Sequence, residues 1–260
     1  RLTISLRTLF PSASFVGCGD IRIAVATDRS TDCRPGYLFA AVSGTRWNGM
    51  QFVQDAVEAG ATSLLLPRPI PDVAVPQCIV SDVRKAYARL CAALSGHPST
   101  HLRIAGVTGT NGKTTVSWLI RAILRADGFP TGLLGTIEYD DGGHTQRAPL
   151  TTPEPHELSG WLAAMVRRGT THAVVELSSH ALHQGRCDGM ALGVAVITNL
   201  TQDHFDYHGG FADYTAAKAR ILELCQSGGC VVWNADDDRV RAMVENCDQR
   251  IEAVSFGIET

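Results

Sequence analysis

Gly106-Val107-Thr108-Gly109-Thr110-Asn111-Gly112-Lys113-Thr114-Thr115 is the stretch on which the reading of this chain turns. Before it, Arg103-Ile104-Ala105-Gly106-Val107 has the composition of a short buried strand. After it, Val116, Leu119, Ile120 and Ile123 recur at helical spacing, the apolar stripe of an amphipathic helix. A glycine-rich turn therefore joins a strand to a helix, with Gly-Lys-Thr at the helix start. Glycines let the backbone pass close to an anion. The N–H groups of the first helical turn point at that anion, aided by the helix dipole. In such a loop Lys113 brings a positive charge to the β- and γ-phosphates, and Thr114 offers a hydroxyl to Mg²⁺. The strict phosphate-loop pattern has glycine where Val107 stands. A glycine turn that only caps a helix is the competing reading.

Composition narrows the class. At 260 residues the chain is one large domain or two ordinary ones. Apolar residues make up 45%, enough for real cores. A formal net charge of −3 gives no basic stripe, which disfavours nucleic acid as a partner. No apolar run is long enough to span a bilayer, and residues 1–17 lack the pattern of a secretory signal. The eight cysteines are scattered, with no Cys-x-x-Cys, and read as free thiols. These features predict a reducing, cytoplasmic setting. The chain begins at Arg1 rather than Met, so it is expected to be a piece of a longer protein.

The predicted fold class is α/β. Residues 1–100 read as a small α/β domain, with strands at Ile21–Ala26, Tyr37–Val42, Thr62–Leu66 and Cys78–Val80. Phe52, Val53, Ala56 and Val57 mark one helix, and Asp82 caps another that carries Ala86, Leu90, Ala93 and Leu94. Gly96-His97-Pro98-Ser99-Thr100 breaks the chain, and the boundary is placed there. From 101 to 260 strands alternate with helices. His172–Leu177 and Leu192–Thr198 are near-continuous apolar strands, as expected in a sheet covered on both faces. The alternation predicts a mostly parallel sheet with right-handed crossovers. Ligands then sit at the carboxyl ends of the strands.

Polar clusters follow those strands. Glu176 ends one, where a carboxylate either holds Mg²⁺ or caps the next helix. Asn199-Leu200-Thr201-Gln202-Asp203-His204-Phe205-Asp206-Tyr207-His208 follows another. His204 and His208 have zinc-like spacing, but the His-Glu-x-x-His pattern is absent. Lys218 lies beside the apolar face of the next helix, where a lysine ordinarily reaches along the surface to solvent. Thr151-Thr152-Pro153 reads by composition as an ordinary loop before a helix.

Together these stretches resemble the Mur ligases, ATP-dependent enzymes that build the peptidoglycan stem peptide. Gly-Thr-Asn-Gly-Lys-Thr-Thr is similar to their nucleotide loop. The other matching stretches are Leu150–Pro153, Glu176–Leu182, Gln184-Gly185-Arg186, Thr198–Leu200, Asp203–His208, Ala216–Lys218 and Asn234–Asp237. Thr-Thr-Pro and Ser-Ser-His…Gln-x-Arg favour the MurE type, the tripeptide synthetases. Asp28–Ser30, Pro35–Phe39 and Gly44–Gly49 resemble the family's uridine-diphosphate pocket.

The resemblance implies roles. Ser30, Thr45, Arg46 and Trp47 would hold the UDP end of the substrate. Thr151, Thr152, Ser178, Gln184 and Arg186 would hold the muramoyl-dipeptide. Gly109, Thr110, Asn111, Gly112, Lys113, Thr114, Thr115 and Asn199 would bind ATP. Thr114 and Glu176 would serve one Mg²⁺, with His204 a further ligand. Lys218 would carry a CO₂-derived carbamate and help bind a second Mg²⁺. Lys113, Lys218 and His204 are thus the implied catalytic set. Leu150 stands where the family usually has Asn, and its side chain cannot make that polar contact.

The implied reaction joins a diamino acid to UDP-MurNAc-L-Ala-D-Glu. The D-Glu carboxylate takes the γ-phosphoryl group of ATP, and an amine opens the acyl phosphate. No stretch resembles the family's third, amino-acid-selecting domain, so the first domain and an incomplete second are expected here, inactive as a ligase alone. The competing assignments are a MurF-type ligase or folylpolyglutamate synthase, a different phosphate-loop ATPase, and a non-catalytic nucleotide-sugar-binding module.

Overall fold

The computed structural model describes residues 1–260 apart from 1–2, 45–46, 202–206, 208, 246, 249 and 259–260. The chain divides into two compact units, 1–96 and 97–260. Gly96 and His97 both turn with positive φ, at 80° and 51°. Pro98–Thr100 then belongs to the second unit, where Ser99 Oγ accepts the Ala191 N–H at 3.2 Å. Among the described residues no helix is long and apolar enough to cross a membrane.

The first unit runs β1 (Ile4–Ser5), α1 (Leu6–Leu9), β2 (Ser14–Val16), β3 (Arg22–Ile23), β4 (Val25–Thr27), β5 (Tyr37–Ala40), α2 (Val53–Glu58), β6 (Ser63–Leu66), β7 (Gln77–Ile79) and α3 (Val83–Leu94). Its sheet has the order β2-β7-β6-β5-β4, parallel throughout except for β2. The strand expected over Ile21–Ala26 is two strands. Arg22–Ile23 pairs with β1, and Val25–Thr27 joins the larger sheet beside β5. Asp82 caps α3 as expected, its carboxylate accepting the Lys85 N–H at 3.0 Å. Tyr87 and Leu90 of α3 pack on Leu38 and Leu65 from one side of the sheet. Val53 and Ala56 of α2 pack on Phe39, Leu64 and Leu66 from the other.

The second unit continues with β8 (Arg103–Thr108), α4 (Lys113–Ala126), β9 (Thr131–Leu134), β10 (Glu138–Asp140), β11 (Thr145–Arg147), α5 (Pro155–Arg167), β12 (His172–Glu176), α6 (Ser179–His183), β13 (Leu192–Ile197), α7 (Phe211–Glu223), β14 (Cys225–Asn234), α8 (Asp238–Val244) and β15 (Glu252–Phe256). The sheet order is β11-β10-β9-β12-β8-β13-β14-β15. From β9 to β15 every pairing is parallel, and the β10–β11 hairpin adds the antiparallel edge. Helices α5, α6, α7 and α8 build the main core on one face, around Leu134, Val175, Ala195, Ile197 and Val231. On the other face α4 lays Val116 and Ile120 on Val107, Leu133, Val174 and Val196. There, among the described residues, the expected cover is partial. A groove of about 670 Å³ opens between Val116, Ile120 and Leu124 of α4 and Val194, Val196, Val232 and Phe256.

The inward face of α4 keeps only Val116 and Ile120 of the expected stripe. Leu119 and Ile123 are 56% and 67% exposed, whereas Ser117 and Arg121 are buried. Arg121 meets Glu138 at 2.8 Å and Asp140 at 3.0 Å, its guanidinium lying 4.2 Å from the Trp118 ring. Arg125 adds a second contact to Asp140 at 2.7 Å. The helix thus docks on the β10 hairpin through charge, because the strand residues facing it are carboxylates. Arg121→Leu should cost about 3 kcal/mol of unfolding free energy, since it leaves buried Asp140 and half-buried Glu138 short of their partner. Urea unfolding of the chain measures this.

Candidate functional site

Because β8, β9, β12, β13 and β14 run parallel, their carboxyl ends share one edge of the sheet. The residues just past those ends assemble there. The loop after β8 is shaped by contacts from the segment after β13. Gly109 has φ +146°, and a Cβ there would lie 1.9 Å from Thr198 Oγ1. Thr198 Oγ1 donates to the Asn111 carbonyl at 2.6 Å. Asn199 clasps Asn111 from both sides. Its Oδ1 accepts the Asn111 N–H at 2.9 Å, and its Nδ2 donates to the Asn111 carbonyl at 3.1 Å. The Thr110 N–H is held by the Asn199 carbonyl at 2.9 Å.

Two of the loop amides are therefore engaged within the protein. The first turn of α4 differs: its N-cap is Gly112, which supplies no side-chain hydrogen bond. The amides of Lys113, Thr114 and Thr115 keep the character of a helix N-terminus open to an anion. Lys113 folds over the loop, Nζ donating to the carbonyls of Gly109 at 2.8 Å and Thr110 at 2.9 Å.

Glu176, at the end of β12, is fully buried at the centre of the cluster. Its Oε2 accepts the hydroxyls of Thr114 and Thr136, both at 2.9 Å, and its Oε1 accepts the Thr136 N–H at 3.2 Å. Close approach of Gly135 makes the room, since a Cβ there would lie 2.2 Å from Glu176 Oε1. Glu176 does not cap the following helix. Ser178 caps α6, its Oγ accepting the Ala181 N–H at 3.2 Å. The side chains here are hydroxyls and a carboxylate, the hard oxygen donors that suit Mg²⁺. Such an ion keeps several waters and binds through one carboxylate plus substrate phosphates. Thr114 and Glu176 would hold it. Among the described residues no cluster of three or more His, Cys, Asp or Glu could hold a metal.

Next to Glu176 the structure gathers the stretch 151–154 and the turn after α6. Thr152 is buried, and its hydroxyl ties these segments together. It donates to the Glu176 carbonyl at 2.8 Å and accepts the Ser178 N–H at 3.0 Å. Thr151 Oγ1 lies 3.1 Å from Thr136 Oγ1. Arg186 donates Nε to Gln184 Oε1 at 2.9 Å and pairs with Glu154 at 3.2 Å. Gln184 Nε2 donates to the Tyr207 hydroxyl at 3.0 Å. Thr151, Ser178, Gln184 and Arg186 thus form one polar surface beside the phosphate loop, with Thr152 as its internal brace. What composition presents as an ordinary loop before α5 is anchored at its middle.

Lys218 does not reach to solvent. It is buried on α7, with Nζ donating to the Gly109 carbonyl at 2.8 Å and lying 4.7 Å from the centre of the Tyr214 ring. The surface reading of this lysine fails because the side of α7 it occupies faces the loop. His204 and His208, with the rest of 202–206, lie outside the described residues, as do Thr45 and Arg46. Ser30 and Trp47 belong to the first unit. Ser30 opens a 3₁₀ turn over Ser30–Asp32, and the Trp47 ring is 67% exposed, edge-on to Phe52 at 6.4 Å.

Several further residues of the site have no role assigned from the sequence, although Asn234 and Asp237 lie in a stretch that resembles the family. Thr136 contacts Glu176 through two atoms, and its only signal is a hydroxyl just past a strand end. Asn234 Nδ2 donates to the Thr198 carbonyl at 3.0 Å. Asp237 caps α8 and also accepts the Leu200 N–H at 2.7 Å. Both brace the segment that grips the phosphate loop.

Comparison with known proteins bears on this geometry. A family model described as the Mur ligase middle domain matches residues 107–260. A UDP-N-acetylmuramoyl-L-alanyl-D-glutamate–2,6-diaminopimelate ligase of Thermosynechococcus vestitus is 43% identical over 210 residues, 80% of this chain and 42% of that protein. The ligase of the same name from Chlamydia pneumoniae is 39% identical over 225 residues, 86% of this chain and 46% of its own length. A solved structure of a ligase of that name superposes with a TM-score of 0.83 at 25% identity, covering 100% of this chain and 53% of that one. The chain therefore spans about half the length of the relatives it matches. With the middle-domain match running from the phosphate loop through more than half of its residues, this chain belongs to the Mur ligase family.

Proposed function

We propose that this chain carries the ATP site and the muramoyl-peptide site of a ligase that adds the third residue, a diamino acid, to UDP-MurNAc-L-Ala-D-Glu. One observation carries the reading. The phosphate loop, buried Glu176 and the polar surface of Thr151, Ser178, Gln184 and Arg186 stand side by side at the strand ends. That arrangement suits transfer of a phosphoryl group to a carboxylate held next to the nucleotide. The names of the relatives supply the amino acid, 2,6-diaminopimelate, as the candidate amine.

Each group has a task in this reading. The α4 amides and Lys113 hold the phosphates and offset the negative charge that keeps a carboxylate away. Thr114 and Glu176 hold the Mg²⁺, which when bound screens the transferring phosphoryl group. Arg186, fixed by Gln184 and Glu154, presents a cation to the acidic peptide end. Asn199 positions the loop through Asn111. Ser30, Thr45, Arg46 and Trp47 take the UDP moiety on the first unit, and His204 adds a metal ligand. Lys218 becomes carbamylated for a second Mg²⁺; the burial of its amine beside the loop supports this. The setting is the cytoplasm, where ATP and nucleotide-sugars are made. Spanning about half the length of those relatives, the isolated chain is expected to bind substrate without ligating it.

Calorimetric titration separates this reading from its rivals. UDP-MurNAc-L-Ala-D-Glu should bind this chain at least about tenfold more tightly than UDP-MurNAc-L-Ala, because Arg186 gains a carboxylate partner. Equal affinity for the two, or no binding of either, would contradict the muramoyl-peptide site. Tripeptide formation by the chain alone would contradict its inactivity.

A further inference from the structure

Helix α7 touches the phosphate loop at two consecutive residues. Lys218 reaches Gly109. One turn earlier Tyr214, fully buried, places its hydroxyl 2.8 Å from Thr110 Oγ1. Thr110 Oγ1 also accepts the Thr201 N–H at 2.9 Å and lies 3.2 Å from the Thr201 carbonyl. The Thr110 hydroxyl is thus a joint between three segments: the loop itself, the 198–201 stretch and α7. Of the other grips on the loop described above, those of Thr198 and Asn199 come from the 198–201 stretch, and that of Lys218 on the Gly109 carbonyl comes from α7. Tyr214 also fixes the loop to the helical layer, in a buried place where water cannot substitute for a lost partner.

We propose that Tyr214 is a positioning residue for the nucleotide. Its hydroxyl, acting through Thr110, sets the path of residues 109–112, so that the amides at the start of α4 face the phosphates. The inference rests on the reading of this loop as a Mg-ATP site. A phenylalanine fills the same volume, so the hydroxyl is the part under test. Without it the loop keeps its grip on 198–201 and the Lys218–Gly109 contact, but Thr110 loses its own tie to α7. The phosphates then have to order the loop on binding, which costs affinity.

The test is titration of this chain with Mg-ATP in four variants beside the wild type: Tyr214→Phe, Thr110→Val, their double variant and Thr110→Ser. Tyr214→Phe should raise the Kd about tenfold, and Thr110→Val at least as much. The double variant should be no weaker than Thr110→Val alone, because both substitutions remove the same contact. Thr110→Ser, which keeps the hydroxyl, should restore most of the affinity that Thr110→Val loses. A purely structural role would shift the thermal midpoint and leave the Kd in place. Wild-type affinity in Tyr214→Phe, or additive losses in the double variant, would overturn the proposal while leaving the ATP site standing. No Mg-ATP binding by the wild type would overturn the ATP site and this inference with it. If Tyr214→Phe fails to fold, Thr110→Val against Thr110→Ser decides: equal affinities overturn the proposal.

Discussion

Lys113→Ala is expected to weaken Mg-ATP binding by at least about a hundredfold while moving the thermal midpoint of the chain little. The lysine is only partly buried, and its ammonium rests on two loop carbonyls, those of Gly109 and Thr110. Water replaces it there at small cost to stability. A phosphate is a different matter. A unit charge pair about 4 Å apart at an effective dielectric constant near 20 is worth about 4 kcal/mol. Some of that is offset by stripping water from the ammonium, and about 3 kcal/mol of net loss corresponds to roughly a hundredfold in Kd. Lys113→Arg should recover only part of the affinity, since a planar fork does not fit where a point charge sits against two carbonyls. Isothermal titration on the three proteins measures this. An unchanged Kd in Lys113→Ala would mean that the folded-back lysine never reaches the nucleotide.

Gly109→Ala is expected to abolish measurable Mg-ATP binding and to destabilise the second unit by about 2–4 kcal/mol. Two costs add. The backbone at φ +146° is one that alanine rarely adopts, and the new Cβ would sit 1.9 Å from Thr198 Oγ1. Neither can relax alone. If the loop moves out, Thr198 loses Asn111, and the clasp of Asn199 on Asn111 opens with it. If Thr198 moves, the segment that Asn234 and Asp237 brace is displaced. Denaturant unfolding together with nucleotide titration separates the two effects. Stability near wild type with binding lost would place the cost in the loop alone.

The strand, glycine turn and helix around Lys113 were legible because they are local: the composition of ten consecutive residues carries them. The parallel sheet followed from apolar strands alternating with helices, and β8, β12 and β13 lie where that alternation puts them. The inner face of α4 was legible only in half. Apolar periodicity pointed to Val116, Leu119, Ile120 and Ile123; Val116 and Ile120 do lie on the sheet, but the neighbour beside them is the β10 hairpin, which offers Glu138 and Asp140. A helix facing carboxylates buries an arginine. Spacing alone misplaced Lys218 for a related reason, although the family resemblance had put it at the site. Spacing shows that a lysine flanks an apolar stripe, not which side of that stripe another loop covers.

The polar surface of Thr151, Ser178, Gln184 and Arg186 came only from family resemblance. Its members are two hydroxyls, an amide and a guanidinium of kinds that also populate any turn, and what gathers them is the contact of Thr152 with the end of β12, 24 residues away. Thr136 and Tyr214 had no assigned role, and Asn234 and Asp237 stood only within a resembling stretch, because their partners lie still farther along the chain. The Tyr214–Thr110 contact spans 104 residues.

Residues 109–115 and Glu176 are proposed to form a Mg²⁺-dependent ATP site. Its most direct test is calorimetric titration of this 260-residue chain with ATP, with and without Mg²⁺, in the wild type and in Lys113→Ala. The account predicts one saturable site in the wild type with Mg²⁺, much weaker binding when the metal is chelated, and weakening of at least about a hundredfold in the variant. Absence of binding by the wild type in the presence of Mg²⁺, or equal binding by Lys113→Ala, would contradict it.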